Sequence, residues 1–295
     1  NMSLINGIYA ASLSVINENF SLNIDKTVKH AEKIIDYGCH GVVFFGSTGQ
    51  SQLISLSEKI QLVNKLPSSN YRDKFIIGTG CNSLLDTISL MRISLNLGFD
   101  KFLIMPPAYY KYEDSDVINF FSKIVNELKE SKIILYNFEK LSGYKFSNEC
   151  VENLVAKYPD QIIGVKDSSY NLYEKLKIDN FSILPGSETK LLKGLKLGCS
   201  GIITATCNIT ANISRKVFDD FYLEKESSYN ELLCSIREEF DNYNLISALH
   251  SYFSAKDTIY KNVIPPLKLL TTDDKNKMIK NLDKLNFSTS NLMVA

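Results

Sequence analysis

Lys166 ends a short apolar run, Ile162-Ile163-Gly164-Val165. A lysine in that place can have its ammonium desolvated among core side chains. Desolvation disfavours the charged form and leaves an amine able to attack a carbonyl at neutral pH. Tyr136 ends a second apolar run, Ile133-Ile134-Leu135, and is followed by Asn137. A phenol there can carry a proton to and from an imine intermediate and the substrate oxygen. Ser47 and Thr48 lie between Gly46 and Gly49 in a turn that precedes an expected helix over 57–66. Backbone N–H groups and two hydroxyls in such a turn make a cradle for a carboxylate. Each residue also has a plain structural reading. The lysine can simply reach water, the tyrosine can fill a packing layer with its hydroxyl on backbone, and the hydroxyls can serve as caps. The combination is far more specific than any member.

These residues need a scaffold that brings separate strand ends together. Apolar runs recur at Gly7 (GIYAAS), Gly41 (GVVFF), Phe75 (FIIGTG), Lys101 (KFLIM), Lys132 (KIILYN), Gln161 (QIIGVK), Phe181 (FSILPG) and Gly201 (GIIT). Continuous apolar runs suit parallel strands buried on both faces. Helical patterns lie between them. Val117, Phe120, Phe121, Ile124, Val125 and Leu128 fall on one helix face, with Asp114 or Ser115 as the expected cap. Val151, Leu154, Val155 and Tyr158 repeat the pattern behind Ser147, and Ile24, Val28, Ala31 and Ile35 do so near the start. Alternating strands and helices mean a barrel or a doubly wound sheet, and their count and even spacing favour a (β/α)8 barrel. The turn GSTGQ lacks the GxGxxG dinucleotide fingerprint, and no P-loop is present. The expected organisation is a barrel over 1–220 and a C-terminal helical extension over 221–295, helical throughout and packed on the barrel as one structural unit. In a barrel, chemistry sits at the C-terminal strand ends. Those ends gather Gly46 to Gly49, Gly78 to Gly80, Pro106 to Tyr110, Tyr136-Asn137, Lys166 to Ser169, and Gly186 to Glu188.

The bulk composition narrows the function. The 295 residues carry 33 Lys plus Arg and 33 Asp plus Glu, for a formal net charge of zero. No basic excess is available to neutralise a phosphate backbone, which argues against nucleic acid as a partner. No apolar run reaches the length of a membrane span, and no signal-peptide pattern opens the chain. Asn1 before Met2 reads as a residue left by tag cleavage. The cysteines (Cys39, Cys81, Cys150, Cys199, Cys207, Cys234) lack CxxC spacing, as expected of reduced thiols in a cytoplasmic protein. His30, His40 and His250 have no metal-ligand spacing.

With these motifs in hand, the chain resembles the dihydrodipicolinate synthase / N-acetylneuraminate lyase family of class I aldolases. The matching segments are GSTGQ (46–50), GTGCN (78–82), PPAYYK (106–111), LYNFEKLSG (135–143), IIGVKDSS (162–169), GSE (186–188) and GIITATCNI (201–209). The resemblance implies that Lys166 forms a Schiff base with pyruvate or a similar 2-oxo acid and that Tyr136 shuttles the proton. It implies that Gly46, Ser47 and Thr48 hold the 2-oxo acid's carboxylate, and that Ile203 backs the bound acid. Tyr110, or its neighbour Tyr109, would be the tyrosine lent to the relay of a partner subunit. It further implies a homo-oligomer, a tetramer built as a dimer of dimers, with no metal and no organic cofactor.

The chain also departs from the family pattern. Gln50 stands where the family usually has Glu, and Glu139 where it has Pro. Leu141 stands where the synthase branch has the Arg that binds the carboxylate of its aldehyde partner. Glu188 is followed by Thr189, where the lyase branch has adjacent acidic residues. Leucine offers a carboxylate neither charge nor donor. Gly186, Glu188 and Thr189 can instead bind hydroxyls. The expected reaction is therefore carbon–carbon bond formation or cleavage on a hydroxylated 2-oxo (sugar) acid. The alternatives are 4-hydroxy-tetrahydrodipicolinate synthase, a 2-oxo-acid dehydratase or decarboxylase, and a non-catalytic binding barrel.

Overall fold

The computed structural model describes residues 5–288. Eight parallel strands form its centre: β1 (Gly7–Ala11), β2 (Gly41–Phe44), β3 (Phe75–Gly78), β4 (Lys101–Ile104), β5 (Lys132–Asn137), β6 (Ile162–Asp167), β7 (Ser182–Pro185) and β8 (Gly201–Thr204). They pair in the order β7-β6-β5-β4-β3-β2-β1-β8. The Ser200 N–H donates to Ile183 O at 2.9 Å and closes the ring between β7 and β8. Every expected strand is present within a residue or so of its sequence run.

Side chains alternate across each strand, and both sides are apolar. Val43, Ile76, Leu103, Ile134, Tyr136, Ile163, Leu184 and Ile203 fill the barrel interior. Val42, Phe44, Ile77, Phe102, Leu135, Val165 and Ile202 face the surrounding helices. The alternation breaks once. Ile133 lies opposite Ile162 but Ile134 lies opposite Gly164, so Ile163 is an extra residue, and the shifted register sets Tyr136 opposite Lys166.

The helices are α1 (Ile24–Tyr37), α2 (Leu56–Lys65), α3 (Leu84–Asn96), α4 (Asp114–Glu127), α5 (Glu139–Ser142), α6 (Asn148–Lys157), α7 (Leu191–Lys196), α8 (Cys207–Tyr222), α9 (Asn230–Asp241), α10 (Leu245–Phe253) and α11 (Thr272–Lys284). Ser147 caps α6, accepting from Cys150 N–H at 3.0 Å. The cap expected at Asp114 or Ser115 falls instead on Glu113, in a capping box with Asp116. Asp114 is drawn away as an acceptor from the Tyr144 and Ser147 hydroxyls.

Two connections differ from the expected alternation. No helix joins β6 to β7. Residues 168–181 instead wrap around the Asp167 carboxylate, which accepts from Tyr170, Leu172 and Tyr173 N–H at 2.9 Å each. One buried carboxylate thus satisfies backbone donors that a helix would pair internally. The C-terminal region is not helical throughout. The stretch 254–271 carries only one short 3-10 turn, Thr258–Lys261, and is pinned by side chains. Asn262 Nδ2 donates to Ile16 O, Ile264 N–H to Gln50 Oε1, and Leu270 N–H to Ser251 Oγ.

Candidate active site

The Lys166 side chain is only 3% exposed. Its Nζ donates to the Tyr136 hydroxyl at 3.2 Å and lies 4.4 Å from the centre of the Tyr136 ring. The same hydroxyl shares a hydrogen bond of 3.0 Å with Ser47 Oγ, in which either group can donate. Amine, phenol and serine therefore form one connected series contributed by β6, β5 and the turn after β2. An amine in this place has a proton carrier within direct reach.

The Ser47 turn is held from below and behind. Ser47–Gly49 is a single 3-10 turn, and Ser14 Oγ donates to Gly49 O at 2.7 Å. Thr48 is buried beside Ser47. Gln50 ends the turn in a left-handed conformation, φ 58. Its side chain accepts from Ile264 N–H at 2.8 Å and donates to His250 Nε2 at 3.4 Å. The amide suits this place because His250 Nδ1 already donates to Tyr260 O, which leaves Nε2 as an acceptor. Lys59 is also buried, and burial lowers its pKa. Its ammonium is committed to Thr79 O at 3.0 Å and Gly80 O at 3.1 Å, which fixes the loop after β3.

A cleft of about 450 Å³ opens over this series, lined by Tyr136, Gly46, Ser47 and Leu141 among others. That volume suits a small substrate. Ile203 is fully buried in the same interior cluster as Tyr136. Gly186 follows β7 beside Asp167, and its N–H donates to Asp167 O at 3.0 Å.

Other expected residues lie elsewhere. Glu188 is fully buried and does not line the cleft. Its Oε1 is paired with Arg237 at 3.0 Å, and Oε2 accepts from the Thr206 and Thr210 hydroxyls. A buried carboxylate needs such partners, and here they consume both oxygens. Thr189 bonds to Ser187 Oγ at 2.8 Å and does not line the cleft either. Both side chains, expected to bind hydroxyls, are engaged away from the cleft in this structure. Tyr109 and Tyr110 are 90% and 70% exposed and line a separate cleft. Leu53, Asn244, Ile246 and Leu267 line the main cleft and were not expected. The last three come from the C-terminal extension, where no strand-end rule points. Among the described residues, no cluster of three or more His, Cys, Asp or Glu could hold a metal ion, and no helix is long and apolar enough to cross a membrane.

A (β/α)8 barrel with a buried lysine and a tyrosine paired at adjacent strand ends defines a class, the lysine-bearing aldolase barrels. More narrowly, the chain belongs to the dihydrodipicolinate synthetase family, whose model matches residues 4–285. Members of that family are pyruvate-dependent lyases. An uncharacterized DapA-like lyase of Chloroflexus aurantiacus is 32% identical over 64% of this chain, a stretch that spans 65% of that relative's length. The 2-dehydro-3-deoxy-D-gluconate/2-dehydro-3-deoxy-phosphogluconate aldolase of Picrophilus torridus is 26% identical over 81% of this chain and 90% of its own. The crystal structure of dihydrodipicolinate synthase from Agrobacterium tumefaciens superposes with a TM-score of 0.87 at 25% identity, covering 95% of this chain and 99% of that one.

Proposed function

We propose that this chain is a class I aldolase acting on a 4-hydroxy-2-oxo acid, in the direction of cleavage or of synthesis. The observation that carries the reading is the hydrogen-bonded series Ser47–Tyr136–Lys166 beneath the cleft. In the synthetic direction, Lys166 Nζ attacks the carbonyl of a 2-oxo acid such as pyruvate and water leaves, giving an imine. Tyr136, having lent its proton to the departing water, takes up a methyl proton, and the imine becomes an enamine. The enamine carbon attacks an aldehyde, whose oxygen takes up a proton and becomes the 4-hydroxyl. Water then hydrolyses the imine, releasing product and free Lys166. The water lost on imine formation is returned on hydrolysis, so the product has the summed composition of pyruvate and aldehyde, and no metal or organic cofactor enters. Gly46, Ser47 and Thr48 would hold the carboxylate, and Ile203 the back of the pocket. In a homo-oligomer, Tyr110 or Tyr109 would reach a neighbouring copy's relay.

Leu141 lines the cleft, and by the family resemblance it stands where the synthase branch has the Arg that binds the carboxylate of aspartate semialdehyde. Lys140 is exposed and does not line the cleft, and Glu139 faces Lys145 at 3.9 Å. The reading therefore excludes efficient condensation with that aldehyde. Incubation with pyruvate and borohydride, followed by peptide mass mapping, tests the mechanism. The expected result is a reduced adduct on Lys166 and loss of activity, with no adduct in Lys166→Ala. An adduct confined to other lysines would sink it.

A further inference from the structure

The cleft continues past Tyr136 to walls built by segments outside the strand ends. Leu53 comes from the 3-10 turn Ser51–Leu53, Leu141 from α5, Ile246 from α10, and Leu267 from the stretch pinned to Gln50. We propose that these four side chains form the subsite for the aldehyde half of the substrate, and that it takes an uncharged aldehyde with an apolar body. The inference rests on the imine reaction proposed above and names its second substrate class.

Three observations carry it. First, apart from Lys166 beneath it, no acidic or basic side chain among the described residues lines the cleft. Of the nearby charges, Lys59 is committed to two carbonyls, Glu188 to Arg237 and Glu139 to Lys145, while Lys140 is exposed and does not line the cleft. A second carboxylate bound there would lose its water and gain no cation. Second, a polyol needs a polar partner for each hydroxyl, and the outer wall offers few. Asn244 Oδ1 is already spent on Ser247 N–H at 3.0 Å and Ser247 Oγ at 3.3 Å as the cap of α10. Its Nδ2, the exposed Gln52 amide and the Ser51 hydroxyl remain, enough for two or three neutral oxygens but not for a long polyol. Third, Leu53 and Leu141 are 38% and 48% exposed in the single chain, so large apolar surface faces the cleft where a substrate would cover it.

The test holds pyruvate constant and compares kcat/KM for butanal, benzaldehyde, glyceraldehyde and succinic semialdehyde, using the whole chain. Butanal or benzaldehyde should exceed both polar aldehydes by roughly 10-fold or more, the scale on which apolar pockets discriminate. Leu141→Arg sits on an exposed position that tolerates the change, and should shift the ratio toward succinic semialdehyde by about 10-fold through a bidentate carboxylate contact. Equal or better turnover of glyceraldehyde or succinic semialdehyde by the unaltered chain overturns the proposal. So does an Arg variant whose ratio does not move. Borohydride trapping of pyruvate alone separates the two levels. An adduct on Lys166 without the aldehyde preference overturns only the subsite, whereas absence of any adduct overturns the reaction itself.

Discussion

The Tyr136 hydroxyl has an amine on one side at 3.2 Å and a serine hydroxyl on the other at 3.0 Å. A phenol used only for packing does not need both neighbours. Tyr136→Phe keeps the ring under Lys166 Nζ and removes only the proton carrier. Turnover should fall about 10²- to 10⁴-fold, the range for a lost general acid–base group, while pyruvate binding changes far less. Steady-state kcat set against pyruvate affinity checks this, and an unchanged kcat would return Tyr136 to a packing role. Lys166, Tyr136 and Ser47 were legible because each ends an apolar run or sits in a glycine-flanked turn. The engagement of Glu188 with Arg237 was not legible, for an equally physical reason. Arg237 lies 49 residues further on, and nothing local distinguishes a carboxylate aimed at a substrate from one aimed at a distant guanidinium. Gln50 is similar: its amide answers His250 and Ile264, both remote in sequence.

At the level of elements, the pairing of Tyr136 with Lys166 depends on the extra residue in β6. Had Ile133 and Ile162 set the register throughout, Tyr136 would lie opposite Val165 and the lysine would turn toward the helices. A bulge re-aims a side chain in this way. Gly164 permits it, because a Cβ there would stand 2.7 Å from Ser182 O on β7. Gly164→Ala must push β7 or β6 aside. The expected cost is about 1–3 kcal/mol, as for other overpacked sites, together with slower trapping of pyruvate as Lys166 is displaced. Denaturant unfolding and the rate of borohydride adduct formation measure the two effects. If both stayed at the parent values, the strands would be yielding without disturbing the site. The bulge is invisible in the run IIGVK, where any register reads as apolar. The missing helix between β6 and β7 was equally hidden, since its substitute is one carboxylate, Asp167, that a sequence reading takes for part of a motif. The eight strands were plain because parallel strands buried on both faces leave uninterrupted apolar runs.

Over the whole molecule, the C-terminal extension is joined to the barrel through a buried polar chain. Gln50 meets His250, and His250 bonds to the backbone of Tyr260. The Tyr260 hydroxyl meets His30 Nδ1 at 2.6 Å, and His30 Nε2 meets Asn208 at 2.8 Å. Each ring then has one donor and one acceptor role, which only the neutral imidazole supplies. His40 is neutral on the same grounds, its Nδ1 accepting from Ile8 N–H at 2.9 Å. Burial is the main reason that all three pKa values fall from 6.5 to about 4. Between those values the unfolded chain binds protons that the folded chain refuses, so stability rises with pH across the window. The contribution is complete above about pH 6.5 and is lost as pH falls through about 4. For each of the two fully buried rings, His30 and His250, a shift of that size is worth on the order of 3 kcal/mol; the partly exposed His40 contributes less. The denaturation midpoint should therefore be nearly level from pH 7.5 to 6.5 and fall steeply toward pH 4.5, where carboxylate protonation adds only its onset. His250→Gln should lower stability at neutral pH and flatten the slope, because a group that cannot titrate no longer resists protonation. A parent protein whose midpoint stays level down to pH 4.5 would mean that these rings gain protons without cost, and the buried chain linking the extension to the Ser47 turn would have to open in acid with no loss of fold.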